Sequence, residues 1–165
     1  METAITALIV IGVLILSVLG LTERSMSAQA TISEATRALE TRIENRARTS
    51  LTPIGASSTG GTVEVIVKNT GSTRLTDFDK WDVILDYTDG GGGFNAGWYA
   101  YSTKWSKQIY QVAKTTLEAF DPGILNPGEE MVIQINVLPW VGPGTTNLAT
   151  VAAPNGISAT AVFTR

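Results

Sequence analysis

The sequence predicts an α+β protein: a long N-terminal α-helix, hydrophobic at first and amphipathic after, followed by an all-β sandwich of immunoglobulin-like type. Three observations carry that prediction. From Ala4 to Leu21 there are 18 consecutive uncharged residues rich in Ile, Leu and Val. The next stretch keeps apolar residues on one helical line as far as Ala47. Beyond Pro53 the hydrophobic period changes from helical to alternating.

As a helix the uncharged run covers about 27 Å, close to the hydrocarbon thickness of a bilayer. A secretory signal peptide is one use for such a run. Glu2 at its start, its length, and the distance to the Ala28-Gln29-Ala30 cleavage-like site argue against that use. A plain membrane anchor is the second use and needs only hydropathy. The third use draws on the residues after the run: Ala28, Ile32, Ala35, Leu39, Ile43 and Ala47 recur in steps of four and three. No Pro precedes Pro53, and the only glycines before it are Gly12 and Gly20. Residues 1–50 therefore read as one helix of roughly 45 residues, about 65–70 Å long. Its first half, apolar all round, needs lipid or protein around it, and the stripe beyond needs a partner as well. A bundle of copies satisfies both. In the polar half Glu40 and Glu44 alternate with Arg37, Arg42, Arg46 and Arg48. The Glu44–Arg48 spacing adds a few tenths of a kcal/mol on a solvated face, and bridges between subunits are the alternative use of these charges.

Residues 51–61, with Pro53, Gly55 and Gly60-Gly61, read as a turn and short linker. From residue 62 to 165 a sandwich is expected. Val63, Val65 and Val67 alternate with Glu64 and Lys68, and Asn69-Thr70-Gly71 closes that strand. Trp81, Val83, Leu85 and Tyr87 alternate with Asp82, Ile84 and Asp86. The runs GWYAYS, KQIYQV, MVIQINVL and ISATAVFT repeat the pattern between Gly/Pro clusters, which makes six or seven short strands and no second helix.

Composition excludes several function classes. The 165 residues suffice for one ordinary domain plus a segment outside it. A net charge of −3, with scattered Lys and Arg, leaves no footprint for nucleic acid. With no Cys and no His there is no disulfide, thiol nucleophile, imidazole base or ordinary zinc, copper or haem ligand. No enzymatic activity and no cofactor are expected. Asp77, Asp79 and Asp82 are the candidate oxygen ligands for a cation such as Ca²⁺, in a group that also holds Asp86 and Asp89. Trp81 stands where an EF-hand-like loop needs another ligand, and strand alternation already explains Asp82 and Asp86 as outward residues. The same group could supply a glycosidase-like carboxylate pair, as any acidic surface could. Gly90–Gly93 lacks the following helix and Lys-Ser/Thr of a phosphate loop, and reads as a flexible loop at one end of the sandwich. Trp98, Tyr99, Tyr101 and Trp105 could stack on sugar rings, or could be core and cross-strand aromatics. No N-x-S/T sequon is present.

An oily helix with an amphipathic continuation, then a sandwich containing VKNTGSTRL and GILNPGEEMVIQINV, resembles the archaellum (archaeal flagellum) proteins, which share type IV pilin-like logic. The resemblance covers nearly the whole chain in architecture and rests at motif level on the apolar helix and the Lys68-Asn69-Thr70-Gly71 turn. Ile5 stands where bacterial type IV pilins carry a glutamate, which favours the archaellin side. Family pre-proteins carry a short basic leader ending in Gly, and none precedes Met1: either a leader has been removed, or the chain is one of the minor proteins that lack it. What the resemblance implies is a structural subunit of an extracellular motility filament, turned at its base by a separate motor. Such a subunit sits in the cytoplasmic membrane before assembly and forms a helical homopolymer through its N-terminal helix. Packing in the filament core would fall to Ile5, Leu8, Ile9, Ile11, Gly12, Leu14, Ile15, Leu16, Leu19, Leu21, Ile32, Leu39 and Ile43. A minor membrane-anchored archaellum component whose sandwich grips the cell envelope or surface layer is the second expectation. A carbohydrate-binding surface ectodomain is the third.

Overall fold

The structure, a computed structural model, describes residues 2–165, the side chains of residues 2, 19, 21–23, 25 and 112 excepted. Two compact units divide the chain, Met1–Ile43 and Glu44–Arg165.

The first unit is α-helical, and its helix α1 runs without interruption from Glu2 to Arg48. At 1.5 Å per residue that is about 70 Å. Four of its hydroxyl side chains bond back onto the helix's own carbonyls. Ser17 donates to the Val13 carbonyl at 2.8 Å, and Thr31, Thr36 and Thr41 make the same bond four residues back. Arg46 and Arg48 stand in the last turn, where cations meet the negative end of the helix dipole.

The second unit is a β-sandwich. Its strands are β1 (Leu51–Thr59), β2 (Thr62–Asn69), β3 (Asp82–Thr88), β4 (Phe94–Tyr99), β5 (Trp105–Val112), β6 (Thr116–Leu117), β7 (Glu130–Asn136), β8 (Thr146–Ala152) and β9 (Ser158–Thr164). A five-stranded sheet has the order β1-β2-β7-β5-β6, and a four-stranded sheet the order β4-β3-β8-β9. Every pairing between these strands is antiparallel. Along β2, β3, β8 and β9 alternate residues turn inward, as the two-residue period requires. Val63, Val65 and Val67 of β2 thus join Met131, Ile133 and Ile135 of β7, with Val83, Leu85 and Tyr87 of β3 and Val151 and Phe163 from the second sheet. Trp81 and Trp105 are fully buried in that core. Phe78, on a short 3₁₀ turn, packs against Trp81 with ring centroids 5.1 Å apart, and the Lys107 ammonium stands 4.2 Å from the Phe78 ring centroid. The expectation of a sandwich is met by two packed antiparallel sheets.

The expected linker over residues 51–61 is instead mostly strand β1, paired with β2 from Leu51↔Asn69 to Thr59↔Thr62. Pro53 is accommodated because β1 lies at the sheet edge and its register shifts between Pro53 and Gly55. The sandwich unit accordingly starts at Glu44, not at residue 62. Strand β8 is not marked by apolar alternation in the sequence, because its inward positions are Asn147 and Ala149 as well as Val151. Asn147 is buried yet satisfied: its carbonyl oxygen accepts the Thr88 N–H at 3.0 Å and its amide donates to Thr145. The loop at Gly90–Gly93, expected to be flexible, is tied down by Asp89, whose Oδ1 accepts the N–H groups of Gly91 and Gly93, each at 2.9 Å.

Candidate functional site

Two places carry the functional signal: the surface of α1 and the seat that receives its C-terminal end. Ile5, Leu8, Ile9, Ile11, Leu14, Ile15 and Leu16 all lie on the helix with more than half their surface open, Leu8 reaching 74%. Residues 8–11 and 13–16 are four-residue runs, so apolar side chains point in every direction around the axis. Gly12 has nothing within 4 Å of where a Cβ would stand. Leu19 and Leu21 lie on the helix, with their side chains outside the described residues. Further along, Ile32, Leu39 and Ile43 form the exposed stripe, each at least 57% open. Among the described residues no helix is long and apolar enough to cross a membrane; the span expected over Ala4–Leu21 ends on the two undescribed side chains.

The seat is built inside the sandwich unit from the last helical turn, the β2–β3 connection and the β8–β9 turn. Thr49 is buried and donates its hydroxyl to the Asn45 carbonyl at 2.7 Å, closing the helix end. The amide of Asn155 donates to the same hydroxyl oxygen at 2.7 Å. The Ser72 N–H caps the Arg48 carbonyl at 2.9 Å, and the N–H groups of Thr70 and Gly71 both reach the Ser50 carbonyl. The bonds to the Asn45 and Arg48 carbonyls satisfy acceptors that a helix end leaves open. Asn69, fully buried, holds the turn in place: its amide donates to the carbonyls of Thr73 at 2.8 Å and Leu125 at 3.0 Å, and its carbonyl oxygen accepts the Gly71 N–H. Only glycine fits at position 71, since a Cβ there would lie 2.5 Å from both the Arg48 oxygen and the Ser50 nitrogen. The Lys68-Asn69-Thr70-Gly71 turn that stands out in the sequence is thus the cradle for the helix end. Thr49 and Asn155 give no signal there, because nothing local links residues 106 apart.

The other sequence candidates are dispersed. Asp77 pairs with Lys80 at 3.3 Å, and Asp82 accepts the Trp98 indole N–H at 2.9 Å. Among the described residues no group of three or more ligating side chains could hold a metal ion. The aromatic cluster divides as well: Trp105 is core with Tyr101 edge-on at 4.7 Å, Tyr99 is half-buried, and Trp98 alone is widely exposed. A shallow cleft between Asp89, Trp140 and Arg165 has its charged groups already engaged. Asp89 is held below the usual carboxylate range by the Asn95 amide first and then by Gly93 and Gly91, while Arg165 donates to the Val141 carbonyl. What the arrangement offers is surface for packing.

Comparison with known proteins bears on that surface. Residues 4–163 match the archaeal-type flagellin family. The archaellum periplasmic stator protein FlaG from Sulfolobus acidocaldarius is 19% identical over 70% of this chain and 99% of its own, with a TM-score of 0.49. A chain of the archaellum periplasmic stator protein complex FlaF and FlaG from the same organism is also 19% identical, over 70% of this chain and 89% of its own, with a TM-score of 0.51. At that identity the likeness to the complex is one of fold. No curated protein matches. With all but its extreme residues covered by one family, the chain belongs to the archaeal-type flagellins and is a component of the archaellum.

Proposed function

We propose that the chain is the structural, non-enzymatic subunit of an archaellum filament, polymerising through α1 into a helical homopolymer of type IV pilin-like logic. The observation that carries this reading is the extent of exposed apolar surface on α1, from Ile5 on all sides to Ile43 on one. Each Leu, Ile or Val moved fully out of water contributes about 1.5–3 kcal/mol. The all-round half is held by the cytoplasmic membrane before assembly and by neighbouring helices in the fibre. The stripe through Ile32, Leu39 and Ile43 lies beyond any single bilayer span, and packing between copies covers it. The sandwich forms the outer layer outside the cell, and the assembly and motor machinery acts at the base.

A minor anchored component whose sandwich grips the cell envelope is the second reading, and the sandwich fold shared with the stator complex is the observation on its side. Fractionation distinguishes them. Shearing cells and separating appendages from membranes should place this chain as a major band in the appendages; its confinement to the membrane in small amount would favour the anchored component. The carbohydrate-binding reading rests on an aromatic platform that the fold divides, and glycan binding by the sandwich would revive it.

A further inference from the structure

The charges flanking the apolar stripe of α1 are sorted by sign. At about 100° per residue, Glu40 and Glu44 lie about 80° and 120° to one side of the line through Ile32, Leu39 and Ile43, and Arg46 and Arg42 about 40° and 80° to the other. Each edge carries a like-charged pair at i, i+4, an arrangement that destabilises an isolated helix. Among the described residues only Glu44 of these four is compensated within the chain, by Arg48 at 3.2 Å on the far side of the acidic edge, where Arg37 also lies. Among the described residues no ion pair within the chain engages Glu40, Arg42 or Arg46, and all three are exposed. Arg24, eighteen residues and five whole turns before Arg42, continues the basic line.

Sorted edges have one geometric consequence. When two such helices face each other stripe to stripe and point the same way, the basic edge of each meets the acidic edge of the other. When they point opposite ways, basic meets basic and acidic meets acidic. We infer that the Arg42/Arg46 and Glu40/Glu44 edges recognise a second copy of this chain in parallel orientation and reject an antiparallel one, so that they set the polarity of packing. The apolar stripe supplies attraction without direction, and the edges supply the direction. This inference rests on the filament reading above and adds the residues that orient the subunits.

The test uses the full chain in cells lacking any other copy. Glu40→Arg with Glu44→Arg makes both edges basic, and Arg42→Glu with Arg46→Glu makes both acidic. Expected are sheared-fibre yields below roughly a tenth of wild type for either variant alone, and recovery of fibres containing both chains when the two are expressed together. Membrane-fraction levels and protease resistance of the sandwich, equal to wild type, establish that each chain is folded. If wild type forms fibres and either variant alone forms them equally well, or if the folded pair together forms none, the edges do not orient the packing. If wild type itself forms no fibres, the filament reading fails and the inference with it.

Discussion

Asn155 donates its side-chain amide to the hydroxyl of Thr49 at 2.7 Å, joining the β8–β9 turn to the residue that ends the long helix. The same hydroxyl donates back to the Asn45 carbonyl, so one buried atom serves both the helix and the sandwich. Thr49→Val keeps the shape and removes both bonds. Losing them, with the Asn155 amide left without its partner, should cost about 1–3 kcal/mol in the denaturant-unfolding transition of the sandwich.

Gly71 sits where backbone meets backbone. Gly71→Ala places a methyl 2.5 Å from the Arg48 oxygen and the Ser50 nitrogen, neither of which can swing aside as a flexible side chain would. A loss of about 2–4 kcal/mol is expected. Gly55→Ala in the edge strand meets nothing within 4 Å and serves as the control, with a change within about 0.5 kcal/mol.

Strand β1 belongs to the sandwich, so a fragment starting at Glu44 should unfold cooperatively. One starting at Thr62 loses the strand that pairs with β2 and the helix end with Thr49 that fills the seat. It should give a broadened, low-temperature transition in circular dichroism. Equal stability of the two fragments would restore residues 51–61 to the role of a linker.

Glu118 is raised above the usual glutamate range, first by burial and then by the charges of Glu129 and Asp121, against the hydrogen bonds from the Asp121 and Gly123 backbone. A carboxyl with a raised folded value favours folding while it is protonated. That contribution is present below the ordinary glutamate range and is lost as pH rises through the raised value. Glu118→Gln should therefore be more stable than wild type at neutral pH, and the difference should close as pH falls to about 4, measured by denaturant unfolding at both values.

The period of the apolar residues makes α1, β2 and β3 legible, because there the buried or clustered positions are large and aliphatic and recur without interruption. At β1 the Pro53 and Gly55 signals read as a turn, although an edge position and a register shift let both stay in a strand. At β8 the inward Asn147 and Ala149 do not mark a core, since the burial of Asn147 is offset by hydrogen bonds that only the folded neighbours supply. Of the exposed helix surface, the described apolar positions from Ile5 to Leu16 and the stripe of Ile32, Leu39 and Ile43 follow from the apolar period alone. Its seat is half so: the Asn69-Thr70-Gly71 turn stands out in the sequence, whereas Thr49 and Asn155 are ordinary residues until the fold brings them together.

Covering of α1 by copies of itself is the claim on which the filament reading stands. Electron microscopy of surface appendages from cells whose only copy carries Leu16→Asp tests it most directly, because that side chain is 71% open within the chain. The expected result is no filaments, with the sandwich still folded in the same cells. Filaments of normal number and diameter from that variant would contradict it.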